Sequence, residues 1–403
     1  MMAIRNGDWL DRGRVTRIAA ISALAGLAMI AFTWLSRHGT VDALGRPVGT
    51  DYTAFWAAGR LAIEGRPALA WDPLSLNAYV STAHGVAYPT AWMYPPIFLL
   101  IIAPLAALPY LLGLSIWQLG SLIGVACALR PVLRDRHAIF IALASPLSAM
   151  TLGNGQNAFL TAGLLCAGLA LLERRPTIAG MLLAGLSFKP QLALVIVPLL
   201  LFTGNWRAVV AATGTIAVLS AISLALWGPA SWLAFIHASG VARFLLETGD
   251  YGLHKSASLF SMMRQWGAPL SLSYAVQACG AAAAVLLIWK LRRAPAYLLY
   301  AAVCAGVALT TPYLMDYDMA SVGIGAAFFY AFARAGQFLP YERSALAFIW
   351  AAPWFSRPAA EFLALPLGPV ATALLLALVV RRAWGAVPLT ASPSRHSHAV
   401  FAP

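Results

Sequence analysis

Apolar runs of membrane-spanning length, separated by short polar patches, alternate along nearly the whole chain. Runs able to cross about 30 Å of hydrocarbon fall near residues 18 to 35, 112 to 129, 137 to 152, 157 to 172, 177 to 188, 191 to 202, 208 to 227, 270 to 289, 296 to 311, 319 to 333, 343 to 355 and 362 to 380. A further stretch, 97 to 110, is shorter than a span and carries Pro104 and Pro109. Its length and prolines predict an interfacial or re-entrant segment. The expectation is an all-α, polytopic transmembrane helical protein of about 12 spans. It forms one domain over residues 1 to 385, with a first outer loop at 37 to 96 and a disordered cytoplasmic tail at 386 to 403.

Hydrophobic residues make up 61% of the chain and charged residues only 10%, against about a quarter charged in a soluble domain. Lipid must therefore be the solvent for much of the apolar surface. The net charge of +13 does not point to nucleic acid, because the basic residues are dispersed in small groups between apolar runs. Cys127, Cys166, Cys279 and Cys304 all sit inside apolar runs without metal-type spacing and read as small core residues. Arg5, Arg12, Arg14 and Arg17 precede the first run and no small-x-small cleavage site follows it, which predicts an uncleaved first span.

Charge then orients the threading, since cytoplasmic loops are enriched in Lys and Arg. With the N-terminus inside and 12 crossings, 18 of the 27 basic residues but only 5 of the 14 acidic ones fall inside, and the outer side nets to zero. If 97 to 110 crossed as well, Arg130, Arg134 and Arg136 would move outside and the asymmetry would collapse. Both termini are thus expected in the cytoplasm. Five polar clusters are expected on the other face: 37 to 96, 153 to 157, 189 to 191, 228 to 269 and 310 to 318.

In the first cluster Tyr52, Phe55, Trp56, Gly59 and Ile63 recur at helical spacing, predicting a helix that lies along the membrane surface with its aromatics at headgroup depth. Arg60 and Glu64 pair at i, i+4 on its wet side. Asp51 stands at its start as an N-cap, and a capping carboxylate can also face a cavity. Tyr94-Pro95-Pro96 fixes an extended entry into the next apolar stretch. Gly153-Asn154-Gly155-Gln156-Asn157 is a glycine-softened turn whose three side-chain amides exceed what a turn needs. Lys189-Pro190-Gln191 breaks an apolar stretch, where a cation either snorkels or pairs with an anion. His254 beside Lys255, with Arg264 further on, offers a phosphate site or a solvated loop. Tyr313, Asp316, Tyr317 and Asp318 supply two phenols and two carboxylates. Carboxylates at i, i+2 lack the further oxygen ligands a divalent metal requires, which leaves sugar hydroxyls or helix capping.

In order and separation these segments resemble the integral-membrane glycosyltransferases of GT-C type, specifically glycosyltransferase family 87. Asp51-Tyr52, Phe55-Trp56, Gly59-Arg60, Gly65, Asp72-Pro73, Tyr94-Pro95-Pro96, Pro104-Leu105, Gly155-Gln156-Asn157, Lys189-Pro190-Gln191 and Tyr317-Asp318 carry the match, from about Thr50 to Met319. The resemblance implies a GT-C-like fold and transfer of a hexose, mannose foremost, from a polyprenyl-phosphate donor. The acceptor would be a lipid or glycan on the periplasmic or extracellular side of the plasma (inner) membrane. Asp51 would be the general base that takes the acceptor's hydroxyl proton, while cations from Lys189, His254, Lys255 and Arg264 meet the charge on the departing phosphate. Tyr52, Trp56, Tyr94, Gln156, Asn157, Gln191, Tyr313, Asp316, Tyr317 and Asp318 would hold sugar, acceptor or lipid. The first-loop aromatics and Tyr94-Pro95-Pro96 would seat the prenyl chain. A lipid-linked donor carries its own leaving group, so no cofactor or metal is expected.

The competing reading is a polytopic transporter or lipid flippase without transferase activity. Such proteins bring charged or broken-helix sites to the membrane midplane, whereas here the polar clusters gather at one boundary.

Overall fold

The computed structural model describes residues 2–385. The tail expected to be disordered, 386 to 403, lies outside the described residues. Among the described residues the chain is all-α, 77% helical and without strands. Helices α1 (Met2–Asn6) and α2 (Arg12–Leu35) precede the first polar segment, which contains α3 (Tyr52–Ile63) and α4 (Pro73–His84). Next come α5 (Leu99–Ala106), α6 (Tyr110–Leu133), α7 (Arg136–Leu143), α8 (Pro146–Asn154), α9 (Ala158–Leu171) and α10 (Pro176–Ala184). They are followed by α11 (Pro190–Ala193), α12 (Ile196–Phe202) and the 43-residue α13 (Trp206–Thr248). The remainder forms α14 (Leu259–Gln265), α15 (Leu270–Leu291), α16 (Ala296–Leu309), α17 (Ala320–Ala335), α18 (Glu342–Leu363) and α19 (Leu367–Trp384).

Every apolar run read from the sequence falls on a helix or on a pair of helices. Five of them, α2, α6, α13, α15 and α19, are long and apolar enough to cross a membrane. Others are broken where proline removes a backbone donor: Pro146 opens α8 and Pro190 opens α11. The broken pair α7–α8 nevertheless follows α2 from end to end. Thr16 Oγ1 lies 2.6 Å from His137 Nε2, and Ser22 Oγ donates to the Ala144 carbonyl at 2.7 Å. A Cβ on Gly26 would come within 2.6 Å of that of Ala149. The two elements therefore run side by side in the same direction, as the charge-based threading requires of the first and third runs.

Two expectations are corrected. α3 does not offer its aromatic face to lipid headgroups, because nine of its 12 residues are buried in protein. Phe55 packs edge-on against Trp92, Tyr94, Phe98 and Trp117 at centroid separations of 5.4–6.0 Å. These rings form the core of a small unit built on α3, α5 and the start of α6, so helical spacing of aromatics here marks a protein core and not a lipid-facing stripe. Only the wet-side pair is as expected, with Arg60 Nη2 at 3.4 Å from Glu64 Oε1. The segment 228 to 269 is likewise not a loop throughout, since helix resumes after a kink and continues to Thr248. Gly228, at φ +73°, turns the chain, and Pro229 restarts it in the position where a missing N–H costs nothing.

At one end of the bundle the basic groups meet. Arg334 Nη1 pairs with Asp135 Oδ2 at 3.0 Å, Arg382 Nε with the buried Glu342 at 2.6 Å, and Trp9 Nε1 donates to Ser344 Oγ at 3.0 Å. The chain start, the turn after α6, the α17–α18 connection and the end of α19 thus share a single end.

α3 rests on α5 through Gly59, where a Cβ would meet Ala106 Cβ at 2.6 Å and the Ile102 carbonyl at 3.0 Å. Gly59→Val is expected to cost about 1–3 kcal/mol through overpacking and to lower the melting temperature of the detergent-solubilised protein. A melt superimposable on wild type would refute this packing.

Candidate active site

Asp51 occupies the N-cap position of α3, but its side chain makes no capping hydrogen bond. Gln156 Nε2 instead donates to Asp51 Oδ2 at 2.8 Å. The same turn also holds the backbone, for Asp51 N donates to the Asn154 carbonyl at 2.9 Å and Thr50 Oγ1 to Asn154 Oδ1 at 3.2 Å. Gly155 makes the fit possible: it ends α8 at φ +68°, and a Cβ there would lie 2.7 Å from Tyr52 Cβ. Two of the three amides in this turn are therefore accounted for by the Asp51 segment. The third, Asn157, is fully buried near Tyr94, with neither Oδ1 nor Nδ2 in a complete hydrogen bond.

Burial pushes the pKa of the Asp51 carboxyl above that of an ordinary aspartate, and the Gln156 hydrogen bond pulls it part of the way back. Three further charges act on it: Arg357 and Lys255 favour its ionised form and Asp316 opposes it. Asp51 is thus within electrostatic reach of groups drawn from the far half of the chain. Its charge also raises the pKa values of Tyr94, Tyr313 and Tyr317, where burial is the larger cause, and Tyr313 is lifted to about 12. All three phenols stay neutral near pH 7 and remain able to donate hydrogen bonds.

Arg357, on α18, reaches Asp316 with two guanidinium nitrogens, one of them Nη2 to Oδ1 at 3.2 Å. It lies beyond the stretch that carries the family resemblance. The available signal was a lone arginine between Pro353 and Pro358 in an otherwise apolar segment. The neighbouring carboxylate, Asp318, takes a different partner. Its Oδ1 accepts from Lys189 Nζ at 2.6 Å, and both side chains are only 3% exposed. The ammonium stands 5.0 Å from the Tyr317 ring centroid and 6.0 Å from that of Tyr94.

These contacts revise the sequence assignments. Lys189 does not snorkel, and as a phosphate ligand it would have to leave a buried carboxylate that already neutralises it. Arg264 Nη1 donates to the Ala268 carbonyl at 2.8 Å and so closes the end of its own short helix. Lys255 is half-buried and makes no ion pair among the described residues. Its turn is pinned to the Tyr313 region, since Ala257 N and Ser256 Oγ both donate to the Leu314 carbonyl at 2.9 Å. His254 is half-buried in the same 3-10 turn, Leu253–Lys255. Tyr52 is fully buried and Trp56 packs on Tyr79, His84 and Tyr110, so both belong to the supporting core and not to a ligand-facing wall. Gln191 stays half-buried at the second residue of α11.

An all-α bundle with membrane-length apolar helices and a recessed carboxylate among phenols and cations defines a polytopic membrane protein with a polar pocket at one end. The chain belongs to glycosyltransferase family 87, whose family profile matches residues 92–315, more than half of its length. It is accordingly a glycosyltransferase, acting between a donor and an acceptor substrate. Neither a curated relative nor a solved structure matches the chain. The matched stretch contains Tyr94, Gln156, Asn157, Lys189, Lys255 and Tyr313; Asp51, Asp316, Asp318 and Arg357 lie outside it.

Because Lys189 and Asp318 are buried together, removing one charge strands the other. Lys189→Met and Asp318→Asn are each expected to destabilise by about 3–5 kcal/mol, and the double variant by clearly less than the sum. Denaturation of all four proteins in one detergent measures the coupling, and additive losses would refute the pair.

Proposed function

We propose that this protein transfers a hexose, mannose foremost, from a polyprenyl-phosphate donor to a hydroxyl of a lipid or glycan acceptor at the extracytoplasmic face of the plasma membrane. The observation that carries the reading is the Asp51 carboxylate, held by Gln156 and within the electrostatic reach of Arg357 and Lys255. Asp51 accepts the acceptor's hydroxyl proton as the oxygen attacks the anomeric carbon. The bond from that carbon to the phosphate oxygen breaks, and polyprenyl phosphate leaves with an added negative charge. Arg357 and Lys255 oppose that charge. In this assignment Arg357 replaces Lys189 and Arg264 as a phosphate partner, because it stays 36% exposed beside Asp316 whereas Lys189 is 3% exposed beside Asp318. Tyr94, Tyr313 and Tyr317 supply hydrogen bonds for sugar hydroxyls, the fully buried Asn157 supports Tyr94 from behind, and Lys189–Asp318 fixes the wall behind them.

Sidedness follows from charge, because an end that gathers Arg334, Arg343, Arg381 and Arg382 belongs in the cytoplasm. The pocket then faces outward, both termini face inward, and the chain makes about 12 crossings in a single GT-C-like domain over residues 1 to 385. The first-loop aromatics are enclosed by protein, so they do not seat the prenyl chain. α18 takes that task, for it exposes Trp354, Phe355 and Phe362 beside Arg357.

Purified protein in nanodiscs, given radiolabelled polyprenyl-phosphate hexoses and candidate acceptors, tests the reaction. Asp51→Asn is expected to abolish transfer while donor binding persists. It should not lower the melting temperature. A carboxyl whose folded pKa is raised is most favourable to folding below its unfolded pKa and loses that contribution as pH rises through the folded value, so a neutral amide relieves a cost at pH 7. For the same reason the acid limb of kcat/KM should fall at a higher pH than an exposed aspartate would give. Arg357→Gln is expected to lower kcat by roughly 10²–10³-fold. Full turnover by Asp51→Asn, or failure of every donor with wild type, would overturn the mechanism.

A further inference from the structure

A cavity of about 700 Å³ runs between α2, α6–α8, α17 and α18, from Trp9 and Arg12 at the basic end to Met319 and Ser356, the chain neighbours of Asp318 and Arg357. Its walls are apolar, with Ile18, Leu129, Ile141, Phe159, Leu346 and Trp350 among them. Its charged lining residues, Arg12, Asp135, His137, Arg334 and Arg343, all belong to the basic end. Asp135 neutralises Arg334 at 3.0 Å. Arg12 and Arg343 have no ion-pair partner among the described residues, and Arg343 lies over the Phe338 ring at 5.0 Å. His137 is held by Thr16 at 2.6 Å, and the Trp9 indole is fixed on Ser344 at the same rim.

We propose that this cavity is a binding site for an anionic glycerophospholipid. Its acyl chain lies among the apolar walls and its phosphate sits between Arg12 and Arg343. Charge complementarity selects the class, because the rim carries an excess of positive charge and a basic pocket between membrane helices favours an anionic headgroup over a zwitterionic one. The phosphate position at the basic rim is distinct from Asp51, while the apolar walls continue to Met319 and Ser356. α2 starts at this rim and its 24 residues rise about 36 Å toward the other end, so one phosphate cannot serve both places. The lipid wedges the α7–α8 break against α17 and α18, the helices that carry the far wall of the pocket. The proposal does not depend on the transferase mechanism.

Native mass spectrometry of the full-length protein, released from nanodiscs of equal phosphatidylglycerol and phosphatidylcholine, tests it. Retention of phosphatidylglycerol in preference to phosphatidylcholine is expected, together with a rise in melting temperature on adding phosphatidylglycerol to delipidated protein. Arg12→Gln with Arg343→Gln should weaken retention by roughly thirtyfold. A second variant leaves the rim intact. Gly323 lines the cavity and a Cβ there meets nothing within 4 Å, so Gly323→Phe should fill the space and expel the lipid while folding normally. Equal retention of both lipids, or unchanged retention in both variants, would overturn the proposal. So would displacement of the lipid by a polyprenyl phosphate with no dependence on the two arginines, which would assign the cavity to an isoprenoid tail from the other leaflet. The readout is bound lipid and not turnover, so failure here is distinct from failure of the sugar-transfer reading.

Discussion

A charge withdrawn from water beside a bilayer must meet an opposite charge or lose its own. The surroundings of Asp51 are organised around that constraint. Asp318 is matched by Lys189 and Asp316 by Arg357, and each pair ties together helices that are distant in the chain. Asp51 is the exception, since its closest partner is a neutral amide. The two fixed pairs cross-link the elements that carry them, while the Asp51 carboxylate has no ion-pair partner among the described residues.

The membrane character, the helical class and the grouping of inner loops were legible because they rest on length, hydropathy and charge counts, which need no knowledge of contacts. Charge and hydropathy put the Asp51 segment and the Gln156 turn in the same set of polar clusters, and the two are in contact. Other features were hidden for physical reasons. Helical spacing of Tyr52, Phe55 and Trp56 gives the same signal whether the partner is lipid or protein, so the expected lipid-facing stripe of α3 is in fact a protein core. Gly228-Pro229 reads as a stop, yet the same two residues restart a helix after a bend. Pairing of Lys189 with Asp318 spans 129 positions, and nothing local announces it. Arg357 was hidden more deeply, because a single arginine at the outer end of an apolar run looks like an interfacial anchor until the fold brings it to a carboxylate.

The first polar segment folds around an aromatic core beside Asp51. Its aromatic core, centred on Phe55, is closed by Trp117 from α6 and flanked by the second arm of α13. Precision at Asp51 is thus inherited from packing several residues away, through Tyr52 against Gly155 and Gly113. This explains why so many glycines and aromatics lie near a site whose chemistry needs only a few polar atoms.

The hydrogen bonds that fix Asp51 come from residues about a hundred positions later, and the guanidinium within its electrostatic reach is some two hundred positions beyond those. During synthesis the carboxylate emerges first, its amide clamp second and its cation nearly last. A chain cut short before α18 holds Asp51 and its amide partner but lacks the guanidinium, so the charge balance around Asp51 is complete only once the penultimate described helix is in place.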